Sequence, residues 1–160
     1  MNPAVRPSSS TNFPRYLGQL LLLLLGWAAA SIALGAGLRR TQDKRLSGVA
    51  DQFIAWGAVD GLIAAAGIAG THQDSRRVEQ GVLDQPGQAR QARRFEWVVW
   101  VNALLDIGYV AGGTALARRS ASNPYRRGSG LGIIIQGAFL FIWDVFLALS
   151  IRKYRRDRLA

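Results

Sequence analysis

Three aspartates lie deep inside long apolar segments of this 160-residue chain, where a carboxyl group is costly. Asp60 lies near the middle of its segment, Asp106 at the middle of the next, and Asp144 about three residues past the middle of the last. None of these segments contains Arg, Lys or His. An aspartate at the centre of a bilayer costs about 2.5–3.5 kcal/mol, so three facing lipid would cost roughly 8–10 kcal/mol. We therefore expect the carboxyl groups to face one another or a wet cavity inside the protein.

Polar and aromatic neighbours of the aspartates extend this candidate site. Successive members within a segment are three, four or eight residues apart, spacings that we interpret as one face of a helix. Amide, indole and phenol groups would supply hydrogen-bond partners for the carboxyls. The predicted intramembrane polar site comprises seven side chains: Trp56, Asp60, Asn102, Asp106, Tyr109, Gln136 and Asp144.

The cluster supports two interpretations. Carboxyls that share a dry site without a cation should hold at least one proton, because burial and like charge both disfavour ionisation. A neutral aspartate would then donate to Asn102, Gln136 or another aspartate, and the network would fix helix packing; this is the interpretation that we favour. The alternative is a site for protons, cations or a small polar ligand, since ionisable groups inside a membrane commonly mark such pathways.

Four apolar blocks must position these groups, and nearly all charges lie between the blocks. The chain is 49% hydrophobic and 19% charged, with a formal net charge of +10. Each block is long enough to cross about 30 Å of hydrocarbon as a helix, and in lipid a lone strand would leave its backbone unpaired. We predict an all-α, integral membrane four-helix bundle with spans at about 17–38, 48–70, 95–117 and 131–151.

The domain organisation follows from these spans. We predict a flexible tail at residues 1–15, a transmembrane domain at 16–151 and a basic tail at 152–160. A cleaved signal peptide is the alternative for the first block, but a secretory apolar core is about 7–15 residues long and this block is longer. The polar stretch 71–94 predicts a turn at Pro86-Gly87 and a short surface helix.

Small residues indicate where helices can approach closely. Gly57 and Gly61 form one Gly-x-x-x-Gly motif, and Gly108 and Gly112 form another. Motifs of this kind bring helix backbones together in membranes. We therefore expect both pairs to lie in packed helix interfaces.

Several function classes lack support in the sequence. The chain has no cysteine and one histidine, His72, which lies in a polar segment, so it predicts no metal site, haem or other cofactor. No nucleophile motif or phosphate-binding loop predicts an enzyme. The basic run at 152–158 follows an apolar block directly, which is typical of contact with lipid headgroups rather than with nucleic acid.

The expected partners are membrane lipids and, as alternatives, further copies of the chain or a larger membrane complex. The expected location is the cell membrane, plasma or inner. With four spans both termini lie on the same side. The tails and the long loop carry 12 Lys and Arg residues and the two short loops carry 8, which weakly predicts cytoplasmic termini.

Parts of the second, third and fourth blocks resemble a known family. The segments are Trp56–Asp60, Leu105–Tyr109 and Gly130–Leu140, together with Asp144. They are similar to a group of small bacterial four-span membrane proteins known only as a domain of unknown function, over about residues 48–150. The resemblance implies a bacterial four-helix membrane protein and brings no activity and no catalytic residues.

The sequence thus predicts a multi-pass membrane protein of unidentified biochemical role. The favoured hypothesis is a structural subunit or interaction partner with a buried polar network. The alternative hypothesis is binding and transport of a proton, a cation or a small polar ligand through the aspartate cluster.

Overall fold

The computed structural model describes residues 11–159, which form four long α-helices. They are α1 (Phe13–Leu38), α2 (Lys44–Glu79), α3 (Gln85–Arg119) and α4 (Pro124–Arg158). No strand occurs in this part of the chain. Each helix is long and apolar enough to cross a membrane. The prediction of an all-α four-helix bundle is therefore confirmed.

The start of every helix is set locally by an Asn or Asp side chain. In each case a side-chain oxygen accepts hydrogen bonds from backbone N–H groups in the first turn, which otherwise have no partner within a helix. The capping residues are Asn12, Asp43, Asp84 and Asn123. Pro86 lies in the first turn of α3 rather than in the predicted turn, because its fixed φ suits that position.

The helices continue beyond the apolar blocks. With 36 residues α2 is about 54 Å long at 1.5 Å per residue, well over the roughly 30 Å of a hydrocarbon core. The predicted short surface helix within 71–94 is instead the end of α2 and the start of α3. Residues 152–158 of the predicted basic tail at 152–160 form the end of α4. Phe13 belongs to α1 and is fully buried, whereas residues 1–10 of the predicted N-terminal tail lie outside the described residues.

Close contacts at glycines define how the helices pack. A Cβ atom on Gly48 of α2 would lie 2.1 Å from the carbonyl oxygen of Tyr125, and one on Gly128 of α4 would lie 1.9 Å from that of Arg45. These contacts join the beginnings of α2 and α4, so the two helices run parallel. On the other side of α2, Gly57 contacts Ala28 of α1, and these two helices run antiparallel.

The second predicted glycine motif does not pack within the bundle. A Cβ atom on Gly108 or Gly112 would meet no described atom within 4 Å outside its own helix turn. The glycine of α3 that does lie in an interface is Gly113, where a Cβ atom would be 2.8 Å from the carbonyl oxygen of Gly130. The motif was therefore placed on the wrong face of α3, because the 100° turn per residue puts Gly112 and Gly113 on different faces.

The resulting order across the bundle is α1, α2, α4, α3. Backbones are close between α1 and α2, between α2 and α4, and between α4 and α3. By contrast, no Cα atom of α2 lies within 8 Å of one in α3 over the described residues. This leaves a cleft between α2 and α3 with α4 as its floor.

Candidate functional site

The cleft between α2 and α3 contains a cavity of about 210 Å³ that all four helices help to line. It brings together six of the seven side chains predicted from the sequence: Trp56, Asp60, Asn102, Asp106, Tyr109 and Asp144. Leu24 of α1 and Leu140 of α4 complete part of the apolar wall. The volume is enough for several water molecules, each of which occupies about 30 Å³ in the liquid, or for a small ligand.

Two carboxyl groups in this cavity are deeply buried and incompletely satisfied. Asp60 and Asp106 are each 4% exposed, and the Oδ2 atom of each has no hydrogen-bond partner. Asp144 is partly exposed. No hydrogen bond in the described part of the chain joins any two of the three aspartates. The geometry thus differs from the directly bonded network that the favoured hypothesis requires.

Two aromatic rings bridge the cleft at the cavity. Trp56 of α2 and Tyr109 of α3 meet edge to face, with ring centroids 4.9 Å apart and an interplanar angle of 73°. Aromatic pairs favour this geometry because the positive edge of one ring faces the negative face of the other. Side chains therefore connect α2 to α3 where the backbones are too far apart to touch.

The cavity opens at the outer surface of the bundle. Its lining includes Val59 and Ile63 of α2, which are 48% and 57% exposed, and Leu105 of α3, which is 54% exposed. These apolar side chains form a rim between α2 and α3, and the carboxyls lie behind it. The polar interior can therefore be reached from the side of the bundle.

Gln136, the seventh predicted residue, lies elsewhere and links α4 to α1. Gln136 is fully buried. Its Nε2 donates a hydrogen bond to Ser31 Oγ and its Oε1 accepts one from Trp27 Nε1, and each bond has a donor–acceptor distance of 3.2 Å. Residues eight apart on a helix differ by about 80° in direction, so Gln136 and Asp144 point to different partners. The four-residue spacing of Trp27 and Ser31 in the first apolar block was a signal for this contact that the sequence reasoning missed.

The cavity has the chemistry of an acidic site. Its lining includes no Arg, Lys or His. Among residues 11–159, no group of three His, Cys, Asp or Glu side chains lies close enough to hold a metal ion. The three aspartates therefore line one cavity without converging as ligands on one point.

A second polar cluster, missed at the sequence level, holds three helices together near the short loops. Asp51 of α2 accepts hydrogen bonds from Arg39 Nε and from the Tyr125 hydroxyl, with donor–acceptor distances of 2.6 Å and 2.7 Å. The hydrogen bond to Asp51, together with burial, raises the pKa of Tyr125. Since its partners come from the end of α1 and the start of α4, the cluster serves the packing of the bundle.

A third cluster lies at the opposite end, where the first turn of α1 meets α3. The backbone N–H of Phe13 donates a hydrogen bond to Gln88 Oε1 at a distance of 2.9 Å, and Gln88 is 3% exposed. Nearby, Arg155 of α4 and Glu96 of α3 form a partly buried ion pair of 3.0 Å. These contacts explain why the helices remain ordered beyond their apolar blocks.

Comparison with known proteins identifies a family but no activity. The model of a family of unknown function, DUF6992, matches residues 23–145, a segment that contains all seven candidate residues. No curated protein and no solved structure matches the chain. The match covers more than half of the sequence, and the chain therefore belongs to the DUF6992 family, whose function is unknown.

Proposed function

We propose that this protein is a multi-pass membrane protein that binds a proton or a small organic cation in the cavity between α2, α3 and α4. The observation that carries the proposal is the pair Asp60 and Asp106. Both are buried and line the cavity, and each has an oxygen without a partner. Leaving an acceptor of this kind buried and unpaired costs about 1–3 kcal/mol, and more if it is charged. A bound proton or cation removes that cost.

The kind of ligand follows from the other walls. The aspartates do not converge in the way that a metal site requires. Trp56 and Tyr109 meet at the cavity, and the faces of aromatic rings attract cations. Carboxyls beside aromatic rings in a space of about 210 Å³ favour a proton or a small organic cation, such as a protonated amine, over a multivalent metal ion.

The titratable groups that face the cavity come from three helices. They are Asp60 of α2, Asp106 and Tyr109 of α3, and Asp144 of α4, while α1 contributes only Leu24. If the folded protein takes up protons here more readily than the unfolded chain, its stability rises as the pH falls through that titration. A cation that competes for the site would weaken this dependence on pH.

Thermal unfolding of the purified protein in detergent tests the proposal. We expect wild-type protein to become more stable on acidification, and added methylammonium chloride to raise its stability at neutral pH relative to equal sodium chloride. Asp106→Asn should abolish most of both responses. The matched control is Asp157→Asn, which removes an exposed carboxyl at the end of α4. Equal responses in wild type and Asp106→Asn would refute cation binding and return the cluster to a purely structural role.

A second candidate function is that of an assembly subunit, in a homo-oligomer or a larger membrane complex. The specific observation is the open surface at Gly108 and Gly112 on α3, where another helix could approach closely. The mass of the complex extracted in mild detergent distinguishes the two candidates, since a strictly monomeric protein without a co-purifying partner would contradict an assembly role.

The location that fits both candidates is the cell membrane, with the two termini on the cytoplasmic side. Support for the orientation is the excess of Lys and Arg in the sequence of the two tails and the long loop, 12 against 8 in the two short loops.

A further inference from the structure

Three arginines form an uncompensated basic patch on the outer face of α3. Arg90, Arg93 and Arg94 are exposed and lie directly before the apolar block that begins at Phe95. Within residues 11–159, none of the three forms an ion pair. Trp97, one turn further along, is 69% exposed. The spacing i, i+3, i+4 and i+7 places all four side chains on one face of the helix.

This arginine patch borders two hollows on the surface. One has a volume of about 680 Å³ and the other about 430 Å³. Arg90, Arg94 and Val98 line both, so they form a ridge between the hollows. Arg93 and Trp97 line the larger hollow. Each hollow therefore combines guanidinium groups with apolar surface.

Some of the other cations at this end of the bundle are paired within the protein, whereas Arg152, Lys153 and Arg158 of α4 form no ion pair among the described residues. Arg155 pairs with Glu96, and Arg156 pairs with Asp157. The basic segment at the end of α4, which the sequence suggested as the contact with lipid headgroups, therefore has fewer free charges than its composition implies. The arginine patch on α3 keeps its charge available for an external anion.

We propose that the arginine patch and its two hollows bind an anionic phospholipid. Guanidinium groups match the geometry of phosphate oxygens and bind them with paired hydrogen bonds. The exposed indole of Trp97 is typical of the boundary between headgroups and acyl chains. Apolar surface continues along α3 through Val98 and Leu104, which are 47% and 69% exposed, and can receive an acyl chain. A soluble phosphate would use the arginines and leave this surface uncovered.

Native mass spectrometry of the protein released from detergent tests this site. The protein is incubated with equal amounts of phosphatidylglycerol and phosphatidylcholine that carry identical acyl chains. Wild-type protein should retain phosphatidylglycerol preferentially. The triple variant Arg90→Gln, Arg93→Gln, Arg94→Gln should lose that preference by roughly a hundredfold, since each of the three arginines near an anionic surface contributes on the order of a fivefold factor.

A matched control removes the same charge at the opposite end of the bundle. The variant Arg118→Gln, Arg119→Gln, Arg127→Gln changes three exposed arginines and should keep the wild-type lipid preference. Circular dichroism checks that both variants are folded, and Arg93→Gln alone provides a milder test with an intermediate loss.

Three outcomes would overturn the assignment. They are equal retention of both lipids by wild type, equal losses in the two triple variants, and displacement of the lipid by glycerol 3-phosphate at similar concentration. The last result would identify a soluble phosphate as the ligand. The lipid site lies outside the cavity, so its test is independent of the proposed cation binding.

Discussion

Replacing Gly128 with alanine places a methyl group 1.9 Å from the carbonyl oxygen of Arg45, where α4 crosses α2. Ordinary van der Waals contact begins at 3.4 Å, so one of the two helices must move by about 1.5 Å. The three nearest atoms all belong to the backbone of Arg45, and no side chain can rotate to make room. Gly48 is equally confined against α4, which limits any sliding.

Overpacking of this kind typically costs about 1–3 kcal/mol, and the backbone contact puts Gly128→Ala at the upper end. The control is Gly112→Ala, since a Cβ atom there meets nothing within 4 Å outside its own helix turn. Alanine is favoured over glycine inside a helix by about 0.5–1 kcal/mol, so this variant should be unchanged or slightly more stable.

The assay is the free energy of unfolding in mixed micelles, followed by helical circular dichroism as the denaturing detergent fraction increases. We expect Gly128→Ala to unfold at a lower fraction than wild type, and Gly112→Ala at an equal or higher one. Equal stability of the two variants would refute the parallel α2–α4 contact on which the cleft and its cavity depend.

Two further predictions concern the core and the orientation. Gln136→Ala should lower the free energy of unfolding by about 1–3 kcal/mol, because Trp27 Nε1 and Ser31 Oγ lose their buried partner; an unchanged value would mean that water replaces the amide. The chain contains no cysteine, so Val82→Cys and Ser122→Cys each introduce a single thiol, at the α2–α3 and α3–α4 connections. In intact cells an impermeant maleimide should label Ser122→Cys, and Val82→Cys only after permeabilisation; the reverse pattern would invert the proposed orientation.

The cavity changes the balance between the two functional hypotheses. A structural network satisfies its polar groups internally, as Gln136 does with two partners from α1. Asp60 and Asp106 instead keep unpaired oxygens beside open space. One set of intramembrane polar residues thus divides into a packing contact and a candidate binding site, a division that depends on which helices are neighbours.

The sequence by itself determined the helices and most of the membership of the candidate site. Four apolar blocks set the number of spans, and an Asn or Asp before each helix sets its start, because both are local properties of the chain. The cost of burying three aspartates predicted that they would share an interior, and six of the seven candidate side chains line one cavity.

Only the tertiary structure decided the order of the helices and the direction of each face. The length of an apolar block does not determine which helices are neighbours. The close α2–α4 contact depends on backbone atoms of the two helices that meet at Gly48 and Gly128. The same contact leaves α2 and α3 apart, which creates the cleft. The tertiary structure also decided how far the helices continue beyond the apolar blocks. These helix ends are held by contacts such as that between Phe13 and Gln88, which lie 75 residues apart in the chain.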